Sequence, residues 1–247
     1  MKKIIISFLL IAVVLTLNSC EKKISGCTDK DATNYDPDAN DDDGSCILLG
    51  YYEEENKIFD DFETDILNPL WFSTTTGLGG LAYLPEQSLL VLHTGVYQYG
   101  GGSANVISLK KFAVTNGTLV FEGAFQPYED SNYAYGDGQP RGLVDGTDRN
   151  NAIEFVSITG SSISARTVMN GIATETSYSI GSTVNYMRTY RIVASSSVVE
   201  FYLNDLLIAT HTTNIPIVPL NVYFGSSWVG YGNVPISTDY VSYEITN

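Results

Sequence analysis

An all-β sandwich or barrel is the fold class this sequence predicts for most of its length. Three observations carry it. From about Ile58 onward the chain is rich in Tyr, Val, Ile, Ser, Thr and Gly and poor in charge. Its apolar residues there do not recur at helical spacing; they form short runs, some strictly alternating, between turn residues. About 190 residues follow that point, enough for one large core, and all-β folds of this size run as single domains.

Residues 1–19 read as a targeting signal. Lys2 and Lys3 give a basic start, and Ile4 to Leu17 are fourteen residues without a charge. That run is short for a membrane span and right for a signal peptide. It ends in Leu17-Asn18-Ser19-Cys20, which resembles a bacterial lipobox. The resemblance implies that Cys20 receives lipid and becomes the mature first residue. The chain would then be exported and held by acyl chains at the bacterial outer membrane, on its periplasmic or its surface side. Of three cysteines this leaves Cys27 and Cys46. In an oxidising compartment a disulfide between them is the default. Closing that loop would restrict the unfolded chain by about 3 kcal/mol.

Residues 20–57 read as an acidic tether module. Within "GCTDKDATNYDPDANDDDGSC", residues 26–46, seven aspartates stand against one lysine. The stretch resembles a short Cys-bracketed repeat of secreted Bacteroidetes-type proteins, through Gly26-Cys27-Thr28-Asp29, Ala32, Asn34-Tyr35, Pro37, Ala39 and Asp42-Asp43-Gly44-Ser45-Cys46. That repeat implies a spacer, not an activity. Two readings fit the acids: a weak calcium site, drawing on Asp36, Asp38 and Asp42, or a solvated spacer. Hard divalent cations take six to eight oxygens. The EF-hand spacing fails, because Asp41 stands where its glycine belongs.

Residues 58–247 hold the strands. The expected runs are Leu89–His93, Asn105–Leu109, Thr118–Phe125, Ala152–Ile158, Ile163–Met169, Ala173–Tyr178, Thr189–Ala194, Val198–Leu203, Leu206–His211, Leu220–Phe224 and Thr238–Ile245. Asn170-Gly171 and Asn204-Asp205 fit two-residue hairpin turns. Val199, Phe201 and Leu203 share one strand face, Glu200 and Tyr202 the other.

In this order "IFDDFETDILNPLWF", "NNAIEFVSI", "VVEFYLNDLLIATHTTNIP", "PLNVYFG" and "STDYVSYEI" resemble segments of the concanavalin A-like lectin/glucanase superfamily. The resemblance spans roughly residues 58–247. It implies a jelly-roll sandwich of two antiparallel sheets whose concave face or rim loops commonly bind glycans. It also implies a structural calcium near the first and last strands, where Asp60, Asp61 and Asp239 fall; exposed strand-end acids fit those positions equally.

Retaining glucanases of the superfamily carry E-x-D-x-x-E on the central strand, since one carboxylate attacks while another donates a proton. The matching strand here holds Glu154 alone, which points to a glycan-binding or hydrogen-bonded strand residue rather than a catalyst, and the sequence is therefore expected not to be an enzyme. His93 and His211 stand far apart. There is no G-x-S-x-G elbow, H-E-x-x-H pair or phosphate loop.

Seventeen tyrosines and two tryptophans are a heavy aromatic load. Three loop clusters suit sugar stacking: Tyr97 and Tyr99 in "VYQYGGG", Tyr133 and Tyr135 with Asp137 and Arg141 in "EDSNYAYGDGQPRG", and Trp228 and Tyr231 in "GSSWVGYGN"; the same rings would also serve to fill the core or cover sheet edges. Trp71, beside Leu70 and Phe72, reads as core. A net charge of −15 argues against nucleic acid, whose phosphates need basic patches. The expected function is glycan binding by an anchored lipoprotein. The alternatives are an adhesion or structural lipoprotein with protein partners and, less favoured, a glycoside hydrolase.

Overall fold

The computed structural model describes residues 22–28, 30, 32, 35–45, 50–63, 66–84, 89–94, 101–127, 139–159, 162–181, 186–228 and 235–246. The chain forms two compact units, Met1–Leu49 and Gly50–Asn247.

In the first unit two short strands, β1 (Ser25–Gly26) and β2 (Asp41–Asp42), pair in parallel. The Asn40 carboxamide ties them. Its oxygen accepts from the Ile24 amide at 2.9 Å, and its nitrogen donates to the Lys22 carbonyl at 3.1 Å.

The second unit is two antiparallel sheets. One has seven strands, ordered β13-β12-β11-β10-β17-β8-β5. These are β5 (Trp71–Gly77), β8 (Gly102–Phe112), β10 (Gln139–Val144), β11 (Ala152–Thr159), β12 (Ser162–Met169), β13 (Ile172–Ser179) and β17 (Leu220–Trp228). The other runs β16-β15-β14-β9-β18-β4-β3, with β6 (Gly80–Leu84) and β7 (Leu89–His93) added through β18. Its strands are β3 (Tyr51–Glu54), β4 (Lys57–Asp60), β9 (Thr118–Pro127), β14 (Arg188–Ala194), β15 (Val199–Leu203), β16 (Leu206–His211) and β18 (Ile236–Thr246). The unit begins ahead of Ile58 because β3 pairs with β4.

Alternation builds the core. β14 buries Arg188, Tyr190, Ile192 and Ala194, and β15 buries Val199, Phe201 and Leu203. Their partners across the sandwich are Ile153 and Phe155 of β11, Val222 and Phe224 of β17, and Val106 of β8, all fully buried. Phe155 meets Tyr190 and Phe201 edge-on, each with ring centroids 5.2 Å apart. Trp71 is core as expected, edge-on to Phe224 at 5.9 Å.

Both two-residue turns form. Asn170 and Gly171 have φ of 52° and 78°, Asn204 and Asp205 of 47° and 64°. Positive φ at both central positions is the type I′ signature, whose twist matches that of the strands.

Two expectations change. β10 stands in the middle of the seven-stranded sheet although Pro140 and Gly142 interrupt its apolar pattern. And β17 does not stop at Phe224; it continues through Gly225-Ser226-Ser227, so Trp228 ends a strand rather than sitting in a loop. Its backbone pairs with Gly102, which pairs with Gly77.

Candidate functional site

The registers align one residue from each strand of the seven-stranded sheet: Phe72, Ile107, Tyr223, Gly142, Glu154, Arg166 and Glu175. Chain neighbours Trp71, Val106, Phe224, Phe155 and Ala165 are core residues. Side chains alternate along a strand, so this row faces away from the core.

Glu154 is the most buried charge of the row. Arg149 donates to it twice, Nε to Oε2 at 2.9 Å and Nη2 to Oε1 at 2.8 Å. Arg166 adds a weaker donor, Nη1 to Oε1 at 3.4 Å, and its Nε lies 3.5 Å from Glu175. The Glu154 side chain is 1% exposed, against 16% for Arg149 and 27% for Arg166. The carboxylate therefore lies beneath two guanidiniums. Arg149 reaches it from the β10–β11 connection with φ of 56°, a conformation non-glycine residues seldom adopt. Reading the sequence strand by strand misses this clamp, because Arg149 sits in a turn-rich stretch and Arg166 on another strand.

Beside Glu154 the row passes through Gly142. Gly142 carries no side chain, and Tyr223 stands on its far side. The Tyr223 hydroxyl donates to Asn105 Oδ1 at 2.7 Å, and Asn105 Nδ2 donates to Thr74 Oγ1 at 3.3 Å. Thr76 and Ser103 continue this polar stripe, their hydroxyls 2.9 Å apart. Ile107, Val144, Ala152, Val168 and Tyr223 form a small apolar cluster of their own, apart from the main core.

The carboxylates near the first and last strands take different places. Asp60 points inward and is fully buried. It accepts from the Phe62 amide at 2.8 Å, Asn68 Nδ2 at 2.8 Å and Trp71 Nε1 at 2.6 Å. Burial raises its pKa, and these three bonds pull the other way. Asp239 is also raised, first by burial and then by the charge of Asp61. The charge of Asp61 thus reaches Asp239, while both Asp60 oxygens are engaged by protein donors. Among the described residues no group of three His, Cys, Asp or Glu side chains converges as a metal site. In the first unit Asp36 Oδ1 accepts from the Asp38 amide at 2.9 Å and Asp42 Oδ1 from the Gly44 amide at 3.0 Å. Cys27 is buried. Cys20, Cys46, Tyr97, Tyr99, Tyr133, Tyr135 and Tyr231 lie outside the described residues, and Trp228 is described by its backbone alone.

The strand ends that flank the aromatic segments share one end of the sandwich. Trp228 pairs with Gly102, Ile236 with Pro127 and Arg188 with Phe125. Gln139, at the start of β10, crosses between the sheets there and donates to the Pro235 carbonyl at 2.8 Å.

No family model matches the chain, and no curated protein matches it. Solved structures do. A Bacillus licheniformis β-glucanase aligns with a TM-score of 0.60 at 14% identity, over 78% of this chain and 100% of its own. A structure titled as a native glycosidic hydrolase aligns with a TM-score of 0.59 at 15% identity, over 79% of this chain and 99% of its own. The carbohydrate recognition domain of Emp47p aligns with a TM-score of 0.57 at 9% identity, over 79% and 97%. This overturns the expectation that the chain is not an enzyme. That expectation rested on Glu154 standing alone on one strand, and glucanases and a glycosidic hydrolase share this fold. A strand-by-strand reading also overlooks acids brought alongside by neighbouring strands, as Glu175 is. At these identities the likeness establishes architecture: the second unit is a jelly-roll sandwich of two antiparallel sheets, the fold those structures share.

Proposed function

We propose that this chain is an exported, lipid-anchored protein whose jelly-roll domain engages glycan. The observation that supports it most is the shared fold: structures alike over nearly the whole domain are titled both as glucanases and as a carbohydrate recognition domain. Glycan is what those titles have in common. The outer row fits such a ligand, with Phe72 exposed at one edge and hydroxyl and amide groups of Thr74, Thr76, Ser103 and Asn105 beside it. Cys20 supplies the anchor, and a Cys27–Cys46 disulfide closes the acidic tether.

A second reading is glycan cleavage on the same face, and the fold-sharing glucanases favour it. Glu154 and Glu175 flank Arg166 in one row, so their backbones stand roughly two strand spacings, about 9.5 Å, apart. Both carboxyl groups lie within 3.5 Å of the Arg166 guanidinium, and glycoside hydrolysis uses two carboxyl groups flanking the scissile bond. Glu154 and Glu175 would be the two carboxyl groups of that reaction.

One experiment separates these readings. The mature chain is applied to a glycan array and then incubated with each bound glycan, and released sugar is measured. Binding with no released sugar supports recognition. Release that is lost in both Glu154→Gln and Glu175→Gln supports cleavage. Absence of binding and release on every glycan would sink the carbohydrate reading. Cell fractionation checks the anchor, with Cys20→Ser expected to move the protein from membrane to soluble fractions.

A further inference from the structure

A second concavity lies at the edge of the sandwich, and none of its lining residues belongs to the row of Glu154. It encloses about 400 Å³. Tyr178, Ser179 and Ile180 line it from the end of β13; Leu203, Asn204 and Leu206 line it from the β15–β16 turn. Arg188, buried at the start of β14, completes the lining. The edge of one sheet and a hairpin of the other therefore form its two sides.

The turn is held firmly. Asn204 has φ of 47°, its Oδ1 accepts from the Thr189 amide at 3.0 Å, and its own amide donates to the Thr189 carbonyl at 2.9 Å. This leaves the Asn204 carboxamide nitrogen, with two N–H donors, for another acceptor. Arg188 has other contacts, but a guanidinium carries five N–H donors. Tyr178 and Ile180 pack against the core and give an aromatic and an aliphatic wall.

The surroundings are unusual for a surface. Tyr186, Met187, Leu206 and Leu207 are all large, apolar and exposed. Leu206 lines the pocket, and Tyr186, Met187 and Leu207 each stand within two residues of a lining residue in the chain. Exposed apolar side chains beside a concavity mark interaction sites. Ligand pockets of about 300–1,000 Å³ pair apolar walls with a few fixed polar groups, as this one does.

We propose that this pocket binds a single sugar ring, a terminal unit or side branch of the glycan, with its C–H face on Tyr178 and its hydroxyls toward Asn204, Ser179 and Arg188. The inference rests on the carbohydrate reading above but concerns a different surface. It would give the domain two points of attachment to one polysaccharide.

The test is amide chemical-shift mapping on the mature chain with glucose, galactose, mannose, N-acetylglucosamine and glucuronate as probes. At least one should shift the amides of residues 178–180 and 203–206 saturably. Leu206→Arg, which plugs the mouth, should weaken that sugar about tenfold or more at unchanged melting temperature, and Asn204→Gly, which removes the carboxamide together with its bond to the Thr189 amide, should weaken it as much with some loss of stability. Shifts confined to the outer row, around Phe72, Asn105 and Tyr223, would overturn the pocket and leave the carbohydrate reading standing. Shifts at neither surface, together with a silent glycan array, would overturn both. Unchanged affinity in both variants would also overturn the pocket.

Discussion

Asp60 shows how a single residue can look functional in a sequence and prove structural in the fold. It sits beside Asp61 near the first strand, where an acid pair suggests a cation. Its strand instead turns it inward, and Trp71 Nε1 and Asn68 Nδ2 both point at Oδ2. A hydrogen bond to a buried charged group contributes about 1.5–3 kcal/mol. Trp71→Phe keeps the ring and removes one such donor, so it should destabilise the domain by about 2 kcal/mol, read by urea denaturation; an unchanged midpoint would show that Asp60 does not depend on the indole. His211 is buried too, between Thr167 and Thr176. Thr167 gives its hydroxyl proton to the Thr213 carbonyl at 2.9 Å, so it must accept from Nδ1–H, which leaves Nε2 to accept from Thr176. That arrangement requires a neutral ring, and burial lowers its pKa accordingly. The unfolded chain takes up a proton near the ordinary value of about 6.5 that the folded state resists. Stability from this residue is thus whole above that pH and is lost as pH falls through the lowered folded value. Asp60 and Asp239, both raised, act in the opposite sense. Comparing wild type with His211→Gln isolates the histidine: only wild type should lose stability between neutral and mildly acidic pH by this route.

At the scale of elements, hairpins were the most legible feature. Asn170-Gly171 and Asn204-Asp205 lie between alternating runs, and the chemistry of positive φ requires such residues. β16 was readable to its ends because Leu206–His211 is bounded by a turn and a polar stretch. β10 was not, since proline lacks a ladder donor and glycine has no side chain to pattern. It is a strand because β11 and β17 pair with it on both sides, a tertiary cause that leaves no local mark. Gly142 is required there by geometry. Its φ is 147°, and a Cβ would lie 2.4 Å from the Ile153 carbonyl oxygen and 2.9 Å from Glu154 Cα. Gly142→Ala should therefore cost about 2–4 kcal/mol, combining backbone strain with overpacking. Gly146 is the control: its φ is 72° with nothing within 4 Å of a built Cβ, so Gly146→Ala should cost only about 1–2 kcal/mol. Thermal melts of the two variants give the comparison, and equal losses would mean that crowding at Gly142 contributes nothing. The Glu154 clamp was illegible for the same reason as β10, because its two arginines come from a loop and a neighbouring strand.

For the whole molecule, charge and composition were informative. Residues 21–63 carry fourteen acids against four lysines, whereas residues 64–247 carry fourteen acids against seven arginines and lysines over a far longer stretch. Strong self-repulsion suits a solvated tether, and a sparsely charged, alternating stretch suits a sandwich. The division into compact units at Leu49 and Gly50 falls inside the acidic region rather than at its end. The cause is β3: Tyr51–Glu54 pairs with β4, which pairs with β18, so an acidic segment is drawn into the nine-stranded sheet as its edge. Charge at a sheet edge also blocks pairing with another chain. This gives a test of what holds the fold. The main core draws on residues from Ile58 to Tyr243, all within the second unit, and every strand of both large sheets lies between Tyr51 and Thr246. A fragment of residues 50–247 should therefore fold alone and melt with the midpoint of a 20–247 chain. A fragment of residues 58–247 lacks β3 and the first residue of β4, so it leaves Ile58, Phe59 and Asp60 at a raw edge. It should melt lower than the longer fragment and associate more readily at high concentration, as light scattering would show. Equal midpoints and equal scattering for the two fragments would mean that the acidic edge strand neither stabilises the sheet nor guards it.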